Sequence, residues 1–130
     1  MKFRLITATC TALIFWAAGP AYAGPVFSGV IPNIPGKSLI ANEVNYGPGD
    51  ATPAHTHDMS AFILAYVVSG AIESKENDGE PRIYHAGESF TEAPGAIHAI
   101  CRNASATEPA KMLVVFVVDT NHKAMLTPVK

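Results

Sequence analysis

Short apolar runs, separated by turns rich in glycine, proline, asparagine and aspartate, recur along this chain from residue 39 onward. The runs are too short for helices and carry β-branched and aromatic residues, so each predicts a strand. Residues 39–46 form one, ended by Gly47-Pro48-Gly49-Asp50, and a short strand holding two histidines follows. The strongly apolar stretch 61–69 closes at Gly70 and continues beyond it as 71–75. Asn77-Asp78-Gly79-Glu80-Pro81 has the chemistry of a hairpin turn and returns the chain through 82–85 to Gly87. Strands at 89–92 and 97–102 flank the Pro94-Gly95 turn, with Phe62 and Tyr66 placed outward against a second sheet. The continuous run 112–118 predicts a strand buried on both faces. Pro25, Pro32 and Pro35 confine the segment before residue 37 to an edge. No amphipathic helix, repeat or interdomain linker breaks this series, so the expected class is all-β, a single sandwich or barrel domain of jelly-roll type.

The first 23 residues depart from that pattern. Lys2 and Arg4 precede an apolar stretch at 5–18, and Ala21-Tyr22-Ala23 is a small-x-small cleavage site, the arrangement of an export signal. The expectation is a signal peptide at 1–23 and a domain at 24–130, located in the periplasm or secreted. Two of the chain's 9 basic residues leave with that leader and none of its 11 acidic ones does. The acidic remainder, without a basic cluster, argues against nucleic acid or an anionic membrane surface as partner. Of the 2 cysteines only Cys101 remains, so no disulfide framework holds the domain and its core must do so. Cys101 is expected to be a small buried residue. His85 and His122 are assigned to the surface, and Asn103-Ala104-Ser105 is a chance-frequent glycosylation sequon.

Candidate chemistry concentrates in three histidines. On a strand, residues i and i+2 share a face, so His55-Thr56-His57 presents two imidazoles side by side. His98 follows the 93–97 turn and can be aimed at the same point. Three imidazoles suit one divalent transition metal and leave coordination positions open. Imidazole binds iron, zinc, nickel, manganese and copper, so the residues do not select among them. Asp58 alternates to the face opposite His55 and His57. Water is the favoured fourth ligand, and Glu92 is the possible protein one, reaching the centre only through an irregular turn. Arg102, four residues beyond His98 on one strand, and the apolar Ile63 are candidate substrate contacts.

Gly49, five residues, His55-Thr56-His57 and Gly70, followed by Gly87, Gly95 and His98, resemble the two motifs of the cupin superfamily. The resemblance spans about residues 46–119. It implies a double-stranded jelly-roll β-barrel holding a metal, iron first among the candidates, with a substrate cavity above it. It also implies pairing of small members into a homodimer through an edge strand. Four departures stand out: Ile63 occupies the place of the usual metal-binding glutamate, the gap after His57 is long, the proline sits at Pro94 where the stricter pattern has it at Ala93, and the asparagine beyond His98 comes one place late, at Asn103. Some cupins with three histidines and no carboxylate activate oxygen, which implies a dioxygenase-like oxidoreductase for a small aromatic or enolic molecule. A metal- or ligand-sensing module is the other reading. No catalytic acid or base is assigned.

The leader generates the first prediction. Protein recovered from its native host should begin at Gly24 and lie outside the cytoplasm, as intact mass and fractionation will show. A cytoplasmic species still carrying residues 1–23 would disprove it.

Overall fold

The computed structural model describes residues 19–130, and every regular element among them is a strand. The leader's residues 1–18 lie outside that range. In chain order the strands are β1 (Tyr22–Val30), β2 (Lys37–Tyr46), β3 (Ala51–Thr52), β4 (His55–His57), β5 (Phe62–Ser69) and β6 (Ala71–Glu76). They continue as β7 (Arg82–His85), β8 (Ser89–Glu92), β9 (Ile97–Asn103), β10 (Ala110–Asp119) and β11 (Leu126–Pro128). Two antiparallel sheets form, one ordered β1-β2-β10-β5-β8 and the other β11-β4-β9-β6-β7, with β3 paired to β9. The strands expected from the sequence are all present. The two short ones, β3 and β11, carry too few residues to show a period.

Alternation decides which side chains enter the space between the sheets. Along β5, Ile63, Ala65 and Val67 are wholly buried while Phe62, Leu64, Tyr66 and Val68 are exposed. On β10, Met112, Val114, Phe116 and Val118 point inward, and the residues between them are half-buried. The expectation that 112–118 is covered on both faces is therefore corrected. Leu113, Val115 and Val117 stand opposite Tyr66, Leu64 and Phe62 on the outer face, which no second layer of the described residues covers. Phe62 and Tyr66 do point outward, but towards solvent rather than a second sheet. Tyr46, Ile63, Ile72, Val67 and Val118 are the largest fully buried side chains and centre the core between the sheets.

Strand β1 lies on the edge of its sheet, as its prolines require, and its pairing with β2 shifts register between Pro25 and Phe27. Its first residues engage the barrel. Tyr22 and Ala23 pair with Asn45 and Val44, the Ala21 amide donates to the Ala51 carbonyl at 3.3 Å, and the Gly19 amide donates to Asp50 Oδ1 at 2.7 Å.

A second irregularity falls in β9. Lys75 of β6 faces Ile100 but Glu76 faces His98, so β9 carries one extra residue, Ala99, in a bulge. The bulge resets the alternation: His98 is buried, and so are Cys101 and Asn103 beyond it. It also accounts for the late asparagine, since the additional residue between His98 and Asn103 is the one the bulge absorbs. Asn103 uses its inward position to tie loops together, its Nδ2 donating to the carbonyls of Gly47 and Glu108 and its Oδ1 accepting from the Ser105 amide.

Gly70 turns β5 into β6 at φ +70°, and a Cβ there would stand 2.6 Å from the Pro109 carbonyl oxygen. Gly87 has φ +90° but open space around it. Gly70→Ala should therefore cost about 2 kcal/mol or more, from strain plus collision, against about 1 kcal/mol for Gly87→Ala from strain alone. Urea unfolding midpoints measure both, and equal losses would contradict the close approach at Gly70.

Candidate metal centre

The site begins with one register. β4 pairs with β9 so that His55 stands directly opposite His98, and the period of two brings His57 to the same inner face. All three rings are buried at 5% exposure or less, and each offers a ligand atom within 4.8 Å of the others. The sequence expectation that these three side chains meet is met in the geometry. His55 Nε2 and His57 Nε2 are 3.3 Å apart. Two nitrogens each about 2.1 Å from one ion stand roughly 2.9–3.4 Å apart at right-angled to tetrahedral coordination, so the pair fits a shared metal.

Outer partners orient the rings. His55 Nδ1 lies 2.8 Å from the Pro53 carbonyl, which accepts its proton and leaves Nε2 for the centre. His98 Nε2 lies 2.8 Å from Ser74 Oγ on the neighbouring β6, which turns Nδ1 inward. His57 Nδ1 is buried without a partner. Burial holds His98 far below the ordinary imidazole range, at about 4, with the neighbouring Glu92 carboxylate pulling the other way. Burial lowers His55 too, against an upward pull from its bond to Pro53. Both rings are thereby kept in the neutral form that binds metals.

Glu92 enters the same space. The regular pairing of β8 with β5, which sets Glu92 opposite Ile63, brings it in, and no irregular turn is needed. Its Oε2 is 2.9 Å from His57 Nε2 and 3.2 Å from His98 Nδ1. Neither approach has the angles of a hydrogen bond, and the buried oxygen has no donor. Asp58 is directed elsewhere, accepting from the amide and hydroxyl of Ser60.

The three histidines and Glu92 form the floor of a cavity of about 120 Å³, walled by Val44, Met112, Val114, Phe116 and Leu126. Ala21 and Ala23 also line it. Two candidate substrate contacts are corrected. Arg102 lies on the outer face, half-exposed, with its Nε donating to Glu73 at 2.7 Å, because the Ala99 bulge reverses the alternation that would have aligned it with His98. Ile63 points inward as expected but is packed into the core and does not line the cavity. His85 is exposed and His122 is half-buried, away from the centre.

Sequence reasoning missed a polar trio on the cavity wall. The Tyr46 hydroxyl is 2.9 Å from Thr52 Oγ1 and 3.0 Å from Cys101 Sγ. Burial pushes the Cys101 thiol up to about 12 and raises Tyr46 as well, so both keep their protons and Cys101 is no nucleophile. Nothing in the chain near Tyr46 marks it out, since it is contact between β2 and β9 that assembles the trio.

These features agree with the comparisons. The family model for the cupin domain, Cupin_2, matches residues 42–116, and the chain belongs to that family. Its fold is similar to that of TT1209 from Thermus thermophilus, at 24% identity and TM-score 0.62, covering 76% of this chain and 84% of that one. An uncharacterized conserved protein with a double-stranded β-helix domain from Klebsiella pneumoniae is similar at 19% identity and TM-score 0.66, over 90% of each chain. Oxalate oxidase in complex with glycolate is similar at 22% identity and TM-score 0.62, over 86% of this chain and 59% of its own. Comparison with the curated proteins returns no match.

The electrostatics of His98 set a pH dependence for the metal-free protein. The unfolded chain takes up a proton near 6.5 and the folded chain only near 4. More protons are therefore bound on unfolding within that window, so stability is full above pH 6.5 and falls as pH drops through it. The loss should reach about 3 kcal/mol by pH 4. Urea titrations of metal-free parent and His98→Gln across pH 7 to 4 measure it, and identical slopes would remove His98 as the cause.

Proposed function

We propose that this cupin is an exported, metal-dependent oxidoreductase whose cavity takes a small enolic or carboxylate molecule. The observation that carries the reading is the convergence of His55, His57 and His98 at the floor of a small apolar cavity. Those three histidines would hold a divalent metal, with iron first among the candidates. When bound, such an ion supplies a Lewis acid and, if iron, a redox centre.

The chain's own residues do the rest. Pro53 and Ser74 hold two of the rings in position, so the ligand set is organised before metal arrives. Val44, Met112, Val114, Phe116 and Leu126 exclude water and leave the polar end of a small ligand to the metal side. Asn42 carries the amide donor and acceptor on that wall. The volume, about 120 Å³, falls well below the roughly 300–1,000 Å³ of pockets for drug-sized ligands. This favours small enols and carboxylates over multi-ring aromatics. Among proteins of like fold, oxalate oxidase was solved with glycolate, a molecule of the size this cavity takes.

One observation favours a binding or sensing role instead. Tyr46 and Cys101, both on the cavity wall, are held protonated by burial and do not act as bases at neutral pH.

Elemental analysis of protein purified from the exported fraction should find about one transition metal per chain, and His55→Ala, His57→Ala or His98→Ala should each lower its affinity tenfold or more. Oxygen uptake by the iron-loaded protein is then followed with acetylacetone, oxalate and glycolate, beside the His98→Ala variant. Uptake in the parent that collapses in the variant is the expected result. Uptake that persists in the variant points to free iron, and saturable ligand binding without uptake would establish the sensing role.

A further inference from the structure

Ile63 stands where the family motif has a metal-binding glutamate, yet the centre does not lack a carboxylate. The Cα partner of Ile63 across the β5–β8 ladder is Glu92. Directly opposed residues in an antiparallel pair point to the same face with their Cβ atoms about 5 Å apart. A carboxylate on either strand can therefore reach one point between the sheets. We infer that Glu92 is a protein ligand of the metal, so that the carboxylate has moved from β5 to the neighbouring strand rather than been lost. The inference rests on the metal reading above and completes its ligand set.

Three observations carry it. Glu92 is 3% exposed, and a buried carboxyl group is costly unless a polar or cationic partner meets it. No lysine or arginine among the described residues lines the cavity, so the partners on hand are the imidazoles and whatever they hold. The second observation is metric. A carboxylate oxygen and an imidazole nitrogen bound to one ion stand roughly 2.9–3.4 Å apart, and Oε2 lies 2.9 Å from His57 Nε2 and 3.2 Å from His98 Nδ1. The third is direction. These approaches lack hydrogen-bond angles and leave Oε2 without a donor. An oxygen set beside two imidazole nitrogens without bonding either is free to bind a metal that they share.

A fourth protein ligand changes the site. The carboxylate cancels one charge of a divalent ion, and a six-coordinate metal keeps two positions for small molecules rather than three.

Co²⁺ titration of the full chain tests this, because its visible absorption reports the number and kind of its ligands. Parent, Glu92→Gln and the exchange variant Ile63→Glu with Glu92→Gln are compared, with circular dichroism confirming that each folds. The parent should bind one Co²⁺. Glu92→Gln should bind at least tenfold more weakly, with a changed spectrum at saturation. The exchange variant should recover affinity and the parent-like spectrum. Glu92→Gln that keeps the parent's affinity and spectrum overturns the inference. Weaker binding with the parent's spectrum also overturns it, since the carboxylate would then act only through His57. A folded parent that takes up no Co²⁺ fails at the earlier step and overturns the metal reading itself.

Discussion

The pairing of β4 with β9, which sets His55 directly opposite His98, is the contact on which the rest of this molecule turns. Four polar side chains meet inside an apolar barrel, and such groups are costly unless each has a partner. The register meets that constraint for two rings with ordinary protein groups, Pro53 and Ser74. It leaves His57 Nδ1 and Glu92 Oε2 unmatched. Of these two, Glu92 Oε2 faces the centre, beside His57 Nε2, while His57 Nδ1 lies on the other side of its ring.

The sheets serve that cluster from both sides. Each contributes one side of the site: the three histidines come from β4 and β9, and Glu92 from β8 of the facing sheet. A ligand set drawn from both sheets ties the barrel's two halves at its centre, where Phe116 of β10 also packs, its ring centroid 6.0 Å from that of His57. The sheets close over their core without an ion, and a metal held there would add to the folded state's stability by mass action.

Much of this was legible in the sequence, for a physical reason. Strands declare themselves by short apolar runs between turn residues, and His-x-His needs only a period of two to share a face. What escaped depended on events between strands. Nothing near Glu92 says that Ile63 will face it, because register is set by the whole ladder. The misplacement of Arg102 has a single cause: counting by twos from His98 holds only on a regular strand, and Ala99 breaks the count. Continuous apolar sequence such as 112–118 marks a doubly covered strand in most sheets. Here the same composition covers one face with core and leaves the other as an apolar surface shared with β5.

The cavity wall on the β1 side ties the chain's beginning to its chemistry. Ala21 and Ala23 are cavity-lining residues, yet they belong to the Ala-Tyr-Ala segment that reads as a cleavage site. In a chain that begins at Gly24, the Gly19–Asp50 bond and the Tyr22–Asn45 pairing are gone, and the wall beside Val44 loses two methyl groups. Precursor and processed protein would then differ in the wall of the pocket while sharing every ligand at its floor. The cavity's shape beside Val44 is thus tied to where the chain begins, whereas the three histidines at its other side are not.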